Sequence, residues 1–257
     1  MVAAGGGLTV GFLGGMVDWF TDPSHWSGAE GIPHLVWQHV QISVISVLAA
    51  LVVALPAGLV LGHLRRGGFV AVNLSNVGRA LPAIAILLIA VLRFGIGAPP
   101  TWMQSVGIGS IPPFLALVAL AVPPVLTNAY VGVASVDREL VEAARGMGMS
   151  GAQVLRRVEV PLALPLVMAG IRTTAVAVVA TATLAAYVGW GGLGRYIIDG
   201  YAVQDNEKVF AGALLVALLS IVVEVLLALV QRAVVRRPEP GEPARTGERD
   251  ADLVVSA

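Results

Sequence analysis

Residues 41–62 read QISVISVLAALVVALPAGLVLG, 22 positions with no charge among them. At 1.5 Å per residue a helix over this run is about 33 Å long, enough to cross a hydrocarbon core of roughly 30 Å. An amphipathic helix or strand of a soluble domain would interrupt such a run with charged residues facing water. Working outward, four further runs are predominantly apolar, with at most two charges in any of them: 77–96, 112–133, 164–188 and 209–230. Five spans predict an all-α membrane protein, because a helix satisfies its backbone polar groups within one segment and lipid offers no other partner. Composition agrees. The 257 residues are 57% hydrophobic and 12% charged, with mean hydropathy +0.84, whereas a soluble domain carries about 25% charged residues. Lys and Arg together number 16, as do Asp and Glu; this balance excludes a generally basic nucleic-acid binder. Cys is absent, which excludes disulfides and thiolate chemistry. His25, His34, His39 and His63 are scattered without metal-ligand spacing, so no metal site is expected.

The flanks divide the chain. Residues 1–35 carry a short, Gly-rich apolar stretch interrupted by Asp18 and are expected to form a partly ordered extracytoplasmic or interfacial segment; Met16 is an alternative start. Residues 36–235 are expected to form the transmembrane domain. Residues 236–257, rich in Pro, Gly and charge, read as a disordered cytoplasmic tail. Arg65, Arg66, Arg138, Arg145, Arg156, Arg157 and the tail arginines fall on one side of the spans, and only Arg195 and Lys208 lie in loops on the other. The arginine-rich side is cytoplasmic by the positive-inside rule. The expectation is a multi-pass plasma-membrane protein with its N-terminus outside and its C-terminus inside. Trp19, Trp26, Trp37, Trp102 and Trp190 all fall on the outer side. An interfacial belt accounts for them; a cage for a quaternary ammonium ion is the sharper alternative.

The loop between the third and fourth spans, VDRELVEAARGMGMSGAQVLRRVEVPLALP at 136–165, carries the strongest signal. Asp137 is placed to cap a first helix with Leu140, Ala143 and Ala144 as its apolar stripe. Gly146 and Gly148 break it. A second helix over 151–158 is expected to stop at Pro161. The pattern resembles the EAA loop of ABC importer permeases, E-A-A-x-x-x-G-x9-I-x-L-P. Glu142, Ala143, Ala144 and Gly148 match its first half, and Val158, Val160 and Pro161 its second, with Val in place of Ile and Leu. Two other stretches, VPPVLTNAY at 122–130 and YVGWGGLGRYIIDG at 187–200, are similar to the permeases of osmoprotectant importers, the latter also to those of methionine importers. The resemblance spans about residues 36–235. It implies the type I ABC importer permease (MetI-like) fold, with about five core transmembrane helices and the loop at about 137–161 as a cytoplasmic coupling helix. It also implies ATPase subunits docked there, with Glu142, Ala143, Ala144, Gly148, Arg156 and Pro161 as the coupling residues. A second permease subunit, identical or paralogous, and an extracytoplasmic solute-binding protein complete the assembly. The alternative to docking is a basic amphipathic loop resting on anionic membrane lipid.

Inside the membrane, Pro82, Pro123, Pro124 and Asn128 are the candidates for a translocation path, since proline frees carbonyls that need partners. Packing kinks are the alternative. Arg172 and Glu224 both lie roughly 10 Å inside the inner boundary by helical rise. An unpaired charge there costs about 2.5–3.5 kcal/mol or more, so the two are expected to pair. Thr173, Thr174, Thr181 and Thr183 add hydroxyls along the fourth span, although Thr returns hydrogen bonds to its own helix. The chain has no GxxxxGK[ST] loop, and its one lysine, Lys208, lies on the outer side. It is therefore expected not to be an enzyme and to bind no cofactor itself, with ATP and Mg²⁺ on the separate ATPase. The resemblance implies import of glycine betaine, carnitine or choline. Methionine or another amino acid is the alternative substrate, and a proton-coupled secondary transporter using Glu224, or a membrane enzyme, the alternative class.

Overall fold

The computed structural model describes residues 5–69, 73, 76, 78, 80–96, 101, 104 and 109–235. Among these residues all regular structure is helical. The helices are α1 (Gly5–Thr21), α2 (Ile32–His63), α3 (Ala83–Phe94), α4 (Ile111–Ala134), α5 (Arg138–Gly146), α6 (Gly151–Val154), α7 (Val160–Thr181), α8 (Gly194–Ala202) and α9 (Asn206–Val234). A 3₁₀ turn over Pro23–Trp26 precedes α2, a π turn over Leu155–Glu159 joins α6 to α7, and a 3₁₀ stretch over Ala182–Val188 follows α7. Four helical stretches are long and apolar enough to cross a membrane: α2, α4, the continuous path from Gly151 to Val188, and α9.

Three outcomes differ from the sequence reading. The first span begins at Ile32, because Pro33 in its opening turn is preset for a helix start. The run at 77–96 is broken at Leu81–Pro82: Pro82 is extended (ψ 127°) and caps α3, a 12-residue helix of about 18 Å. Part of that run's first half lies outside the described residues. The N-terminal segment is helical and docked, with the Phe12 ring edge-on to Phe210 of α9 at 5.5 Å. The tail at 236–257 lies outside the described residues.

The core is built by small residues. Ser46, Ala50, Ala54, Gly58 and Gly62 recur every fourth position of α2, all buried. This spacing lines one helix face and lets α4 come close. A Cβ at Gly58 would stand 2.6 Å from the Leu126 carbonyl, and one at Gly62 2.7 Å from Val133 Cβ. In lipid, apolar burial gives little drive to helix association, so such close contacts carry it. On the other face of α4, a Cβ at Gly170 of α7 would stand 2.4 Å from Asn128 Cβ. α9 by contrast turns Ile221, Val222, Val225, Leu226 and Leu229 outward, an apolar surface suited to hydrocarbon or another membrane helix.

Candidate functional site

The loop at 136–165 is a compact helical hairpin. Asp137 caps α5 by accepting from the Glu139 N–H at 2.9 Å. Ser150 and Gln153 form a reciprocal cap on α6, the Ser150 N–H donating to Gln153 Oε1 at 2.8 Å and the Gln153 N–H to Ser150 Oγ at 3.4 Å. Val136, Val141, Ala144 and Val154 form its buried centre, with Met149 and Val158 against them. The buried stripe is therefore Val141 and Ala144, while Leu140 and Ala143 face outward. Ala144, 2% exposed, packs the hairpin and offers nothing to a partner. Glu142, Ala143, Gly148, Arg156 and Pro161 are exposed, as is Met147 at 78%. A Cβ at Gly146 or Gly148 would meet nothing within 4 Å. The tip is thus open, and Gly148 turns it with φ +83°, a conformation that suits glycine.

Pro161 does not end the second helix. The π turn before it widens the backbone, and the Val160 N–H donates to the Leu155 carbonyl five residues back. Pro161 then falls in the first turn of α7, where a missing N–H is tolerated, so the path from Gly151 into the membrane stays helical. π turns of this kind recur at functional sites. This one presents Glu159, 1% exposed, to His63 at the end of α2, with Glu159 Oε2 at 2.5 Å from His63 Nδ1. Leaving a buried polar group without its partner costs about 1–3 kcal/mol.

At the opposite end of α2, His39 (1% exposed) holds the loop that follows α7. Its Nδ1 accepts from the Leu193 N–H at 3.3 Å and its Nε2 faces the Val179 carbonyl at 2.8 Å. Gln38 Oε1 accepts from the Gly192 N–H at 3.0 Å. This fixes the neutral His39 tautomer with its proton on Nε2. The Tyr196 hydroxyl donates to the Glu30 carbonyl at 2.6 Å. Its ring lies edge-on to Trp19, which stacks on His25 at 4.1 Å. Trp19 is buried at 8%, so its surface is taken by packing; Trp102 lies outside the described residues. An open groove of about 290 Å³ beside this cluster carries Glu30, Arg195, Asp199 and Lys208.

Within the membrane region a cavity of about 230 Å³ lies between α4 and α7, lined by Pro123, Pro124, Leu120, Gly78, Thr173, Thr174 and Ala177. Pro123 and Pro124 are therefore together at one void. Asn128 is packed against Gly170 and returns its amide N–H to the Pro124 carbonyl at 2.8 Å, and Pro82 caps α3; neither lines that cavity. Thr173 and Thr174 hydroxyls donate to the Gly170 carbonyl. Arg172 Nε lies 3.1 Å from Glu224 Oε1, off the N–H direction, so this contact is ionic rather than an aligned hydrogen bond. Arg172 Nη1 also donates to Gln231 Oε1 at 3.0 Å.

Residues 46–236 match the family described as binding-protein-dependent transport system inner membrane component. The chain belongs to that family. The permease is 36% identical over 197 residues to the glycine betaine/carnitine/choline transport system permease protein OpuCB of Bacillus subtilis (strain 168), covering 77% of this chain and 85% of that one. It is 36% identical over 196 residues to the choline transport system permease protein OpuBB of the same organism, covering 76% and 85%. The osmoprotectant import permease protein OsmY of Salmonella typhimurium is 34% identical over 197 residues, covering 76% and 78%. A solved structure of the inward-facing MetNI methionine ABC transporter has a chain similar at TM-score 0.68 and 22% identity, covering 84% of this permease and 100% of that chain. That likeness shows the shared fold.

Sequence reasoning missed four residues of the permease. Glu159 and His63 are 96 positions apart, and each reads alone as an ordinary polar residue at a span end. Met147 reads as part of a glycine turn, and His39 as an interfacial histidine. The signal available for Glu159 was its place between two valines at the start of a span, where a lone carboxylate needs a partner.

Proposed function

We propose that this permease is the membrane subunit of an ATP-driven importer of a quaternary-amine osmoprotectant such as glycine betaine, carnitine or choline. The observation that carries the importer reading is the hairpin tip, an exposed face of Glu142, Ala143, Met147 and Gly148 beside the open Gly146, set on a capped and packed base. Such a face suits a protein partner: small residues admit close approach, and Glu142 and Arg145 supply charge-assisted hydrogen bonds. The partner in this reading is the ATP-hydrolysing subunit, which holds ATP and Mg²⁺. A second permease subunit covers apolar helix surface in the membrane. A solute-binding protein meets the outer groove of Glu30, Arg195, Asp199 and Lys208. The hairpin then lies in the cytoplasm, with the N-terminus outside and the C-terminus inside the plasma membrane.

The substrate class rests on the functions for which the relatives at 34–36% identity are named. A methionine or other amino-acid substrate has the weaker support, a fold likeness at 22% identity. Pro123 and Pro124 are the path candidates in this reading, since they border the cavity of about 230 Å³ between α4 and α7. Transport follows if ATP-driven movement of the ATPase pair favours one of two helix arrangements through its differential binding energy.

The test is ATP-dependent uptake of radiolabelled glycine betaine and choline into proteoliposomes holding the permease with its ATPase and binding protein. The reading expects uptake of at least one of them, and loss of both ATPase retention and uptake in Glu142→Lys. Uptake of methionine alone would overturn the substrate class. Undiminished ATPase retention and uptake in Glu142→Lys would overturn the docking face.

A further inference from the structure

The cytoplasmic end of α2 touches the hairpin at both of its roots. On the entry side, Arg65 Nη2 donates to the Val136 carbonyl at 2.8 Å, immediately before the Asp137 cap. On the exit side, His63 Nδ1 lies 2.5 Å from Glu159 Oε2 in the π turn. The other ring nitrogen of His63 faces Gly151 at the start of α6, where a Cβ would stand 3.4 Å from it. Arg65 adopts φ +48°, a left-handed conformation that ordinary residues seldom take and that here accompanies the contact with Val136. The same helix is packed against α4 through Gly58 and Gly62 just above.

A bond between one side chain and a loop lets the loop pivot. Two bonds, one at each root, resist pivoting and carry displacement of the whole hairpin to the helix. We propose that the end of α2 is the strut that transmits hairpin movement to the membrane core, with His63 and Glu159 as positioning residues for transport. This rests on the reading of the hairpin as the ATPase docking site. The exit-side contact is the decisive one, because a nearly fully buried carboxylate has one ionisable partner and cannot exchange it for water without cost. The entry-side contact uses a backbone carbonyl on the hairpin, so it can be removed only from the Arg65 side. In this arrangement the ATPase touches the tip while the strut holds the base, so docking and transmission depend on different residues.

The experiment uses the full complex in proteoliposomes and reads three quantities: ATPase retained on the permease, ATP hydrolysed, and solute imported per ATP. Glu159→Ala is expected to retain the ATPase at wild-type level and to hydrolyse ATP, while solute imported per ATP falls at least tenfold. Glu159→Gln, whose amide oxygen can accept from the Nδ1–H of His63, is expected to stay within threefold of wild type. Because an alanine here risks misfolding, His63→Gln provides a second route; combining it with Glu159→Gln is expected to lower import per ATP by no more than the worse single substitution. An unchanged ratio in a Glu159→Ala complex that retains its ATPase would overturn the strut, as would hydrolysis and import falling in proportion. Loss of retention in Glu142→Lys but not in the strut variants separates the two claims; a wild-type permease that retains no ATPase would overturn both.

Discussion

Two glycine-rich loops close the two ends of this permease, and their glycines are there for opposite reasons. In the loop between α7 and α8, which the proposed orientation places outside, space is already taken at Gly191, Gly192 and Gly194. A Cβ at Gly194 would stand 2.2 Å from the Thr183 carbonyl, and one at Gly192 3.2 Å from His39 Nδ1. In the hairpin, a Cβ at Gly146 or Gly148 would meet nothing within 4 Å. Gly191, Gly192 and Gly194 are consumed by the fold, which lets their loop lie on Gln38 and His39, while Gly189 turns the chain with φ +75° in open space. The inner ones leave a surface unfilled, and an unfilled, unshielded tip on a well-capped base is what a docking face requires. In the proposed assembly the same residue type therefore serves internal packing at Gly191, Gly192 and Gly194 and leaves room for a partner at Gly146 and Gly148.

The largest effect that sharpens this contrast is expected from Gly194→Ala. The methyl meets a backbone oxygen that cannot rotate away, and overpacking of this kind costs about 1–3 kcal/mol. Thermal unfolding of the purified permease should register that loss; an unchanged midpoint would show the outer loop to be as open as the inner one. A smaller effect is expected from Tyr196→Phe, which removes the hydrogen bond to the Glu30 carbonyl and about 1 kcal/mol. Burial, and then the charge of Glu30, push the Tyr196 hydroxyl from 10.0 up to about 12. The folded value lies above the unfolded one, so its contribution is intact below pH 10 and is lost as pH rises towards 12. Stability followed between pH 9 and 12 should fall more steeply in the wild type than in Tyr196→Phe, and parallel curves would contradict the buried outer cluster. The smallest effect is expected from Gly146→Ala, within about 0.5 kcal/mol on unfolding, since its methyl points into open space. A larger loss would mean that the hairpin tip is packed after all.

Much of this was legible in the sequence, unevenly. The spans at 112–133 and 209–230 lie within one to four residues of α4 and α9 at each end, because an apolar run of that length with at most one charge has few other uses. The run at 77–96 read as one span, since hydropathy averages over Leu81–Pro82 and cannot register that Pro82 is extended. The hairpin was visible as a motif, yet the buried position of Ala144 was not: motif spacing records which residues recur and not which way they face. The π turn escaped as well, for Pro161 in a sequence signals a stop, and only the widened turn before it lets the helix continue. Arg172 and Glu224 were matched by depth alone, whereas the role of Gln231 as a further acceptor for Arg172 depended on how α7 and α9 meet.

The central claim is that the open hairpin tip is covered by the ATP-hydrolysing subunit. The permease contains no cysteine, so Met147→Cys, at a position 78% exposed, places a single thiol at the tip. Tyr201→Cys, at an 80% exposed position beyond α7, serves as the control. Thiol labelling rates are compared in the free permease and in its complex with the ATPase alone, without the solute-binding protein. The account predicts at least tenfold slower labelling of the tip in the complex and an unchanged rate at the control. Equal labelling of the tip in both states, with the ATPase demonstrably bound, would contradict it.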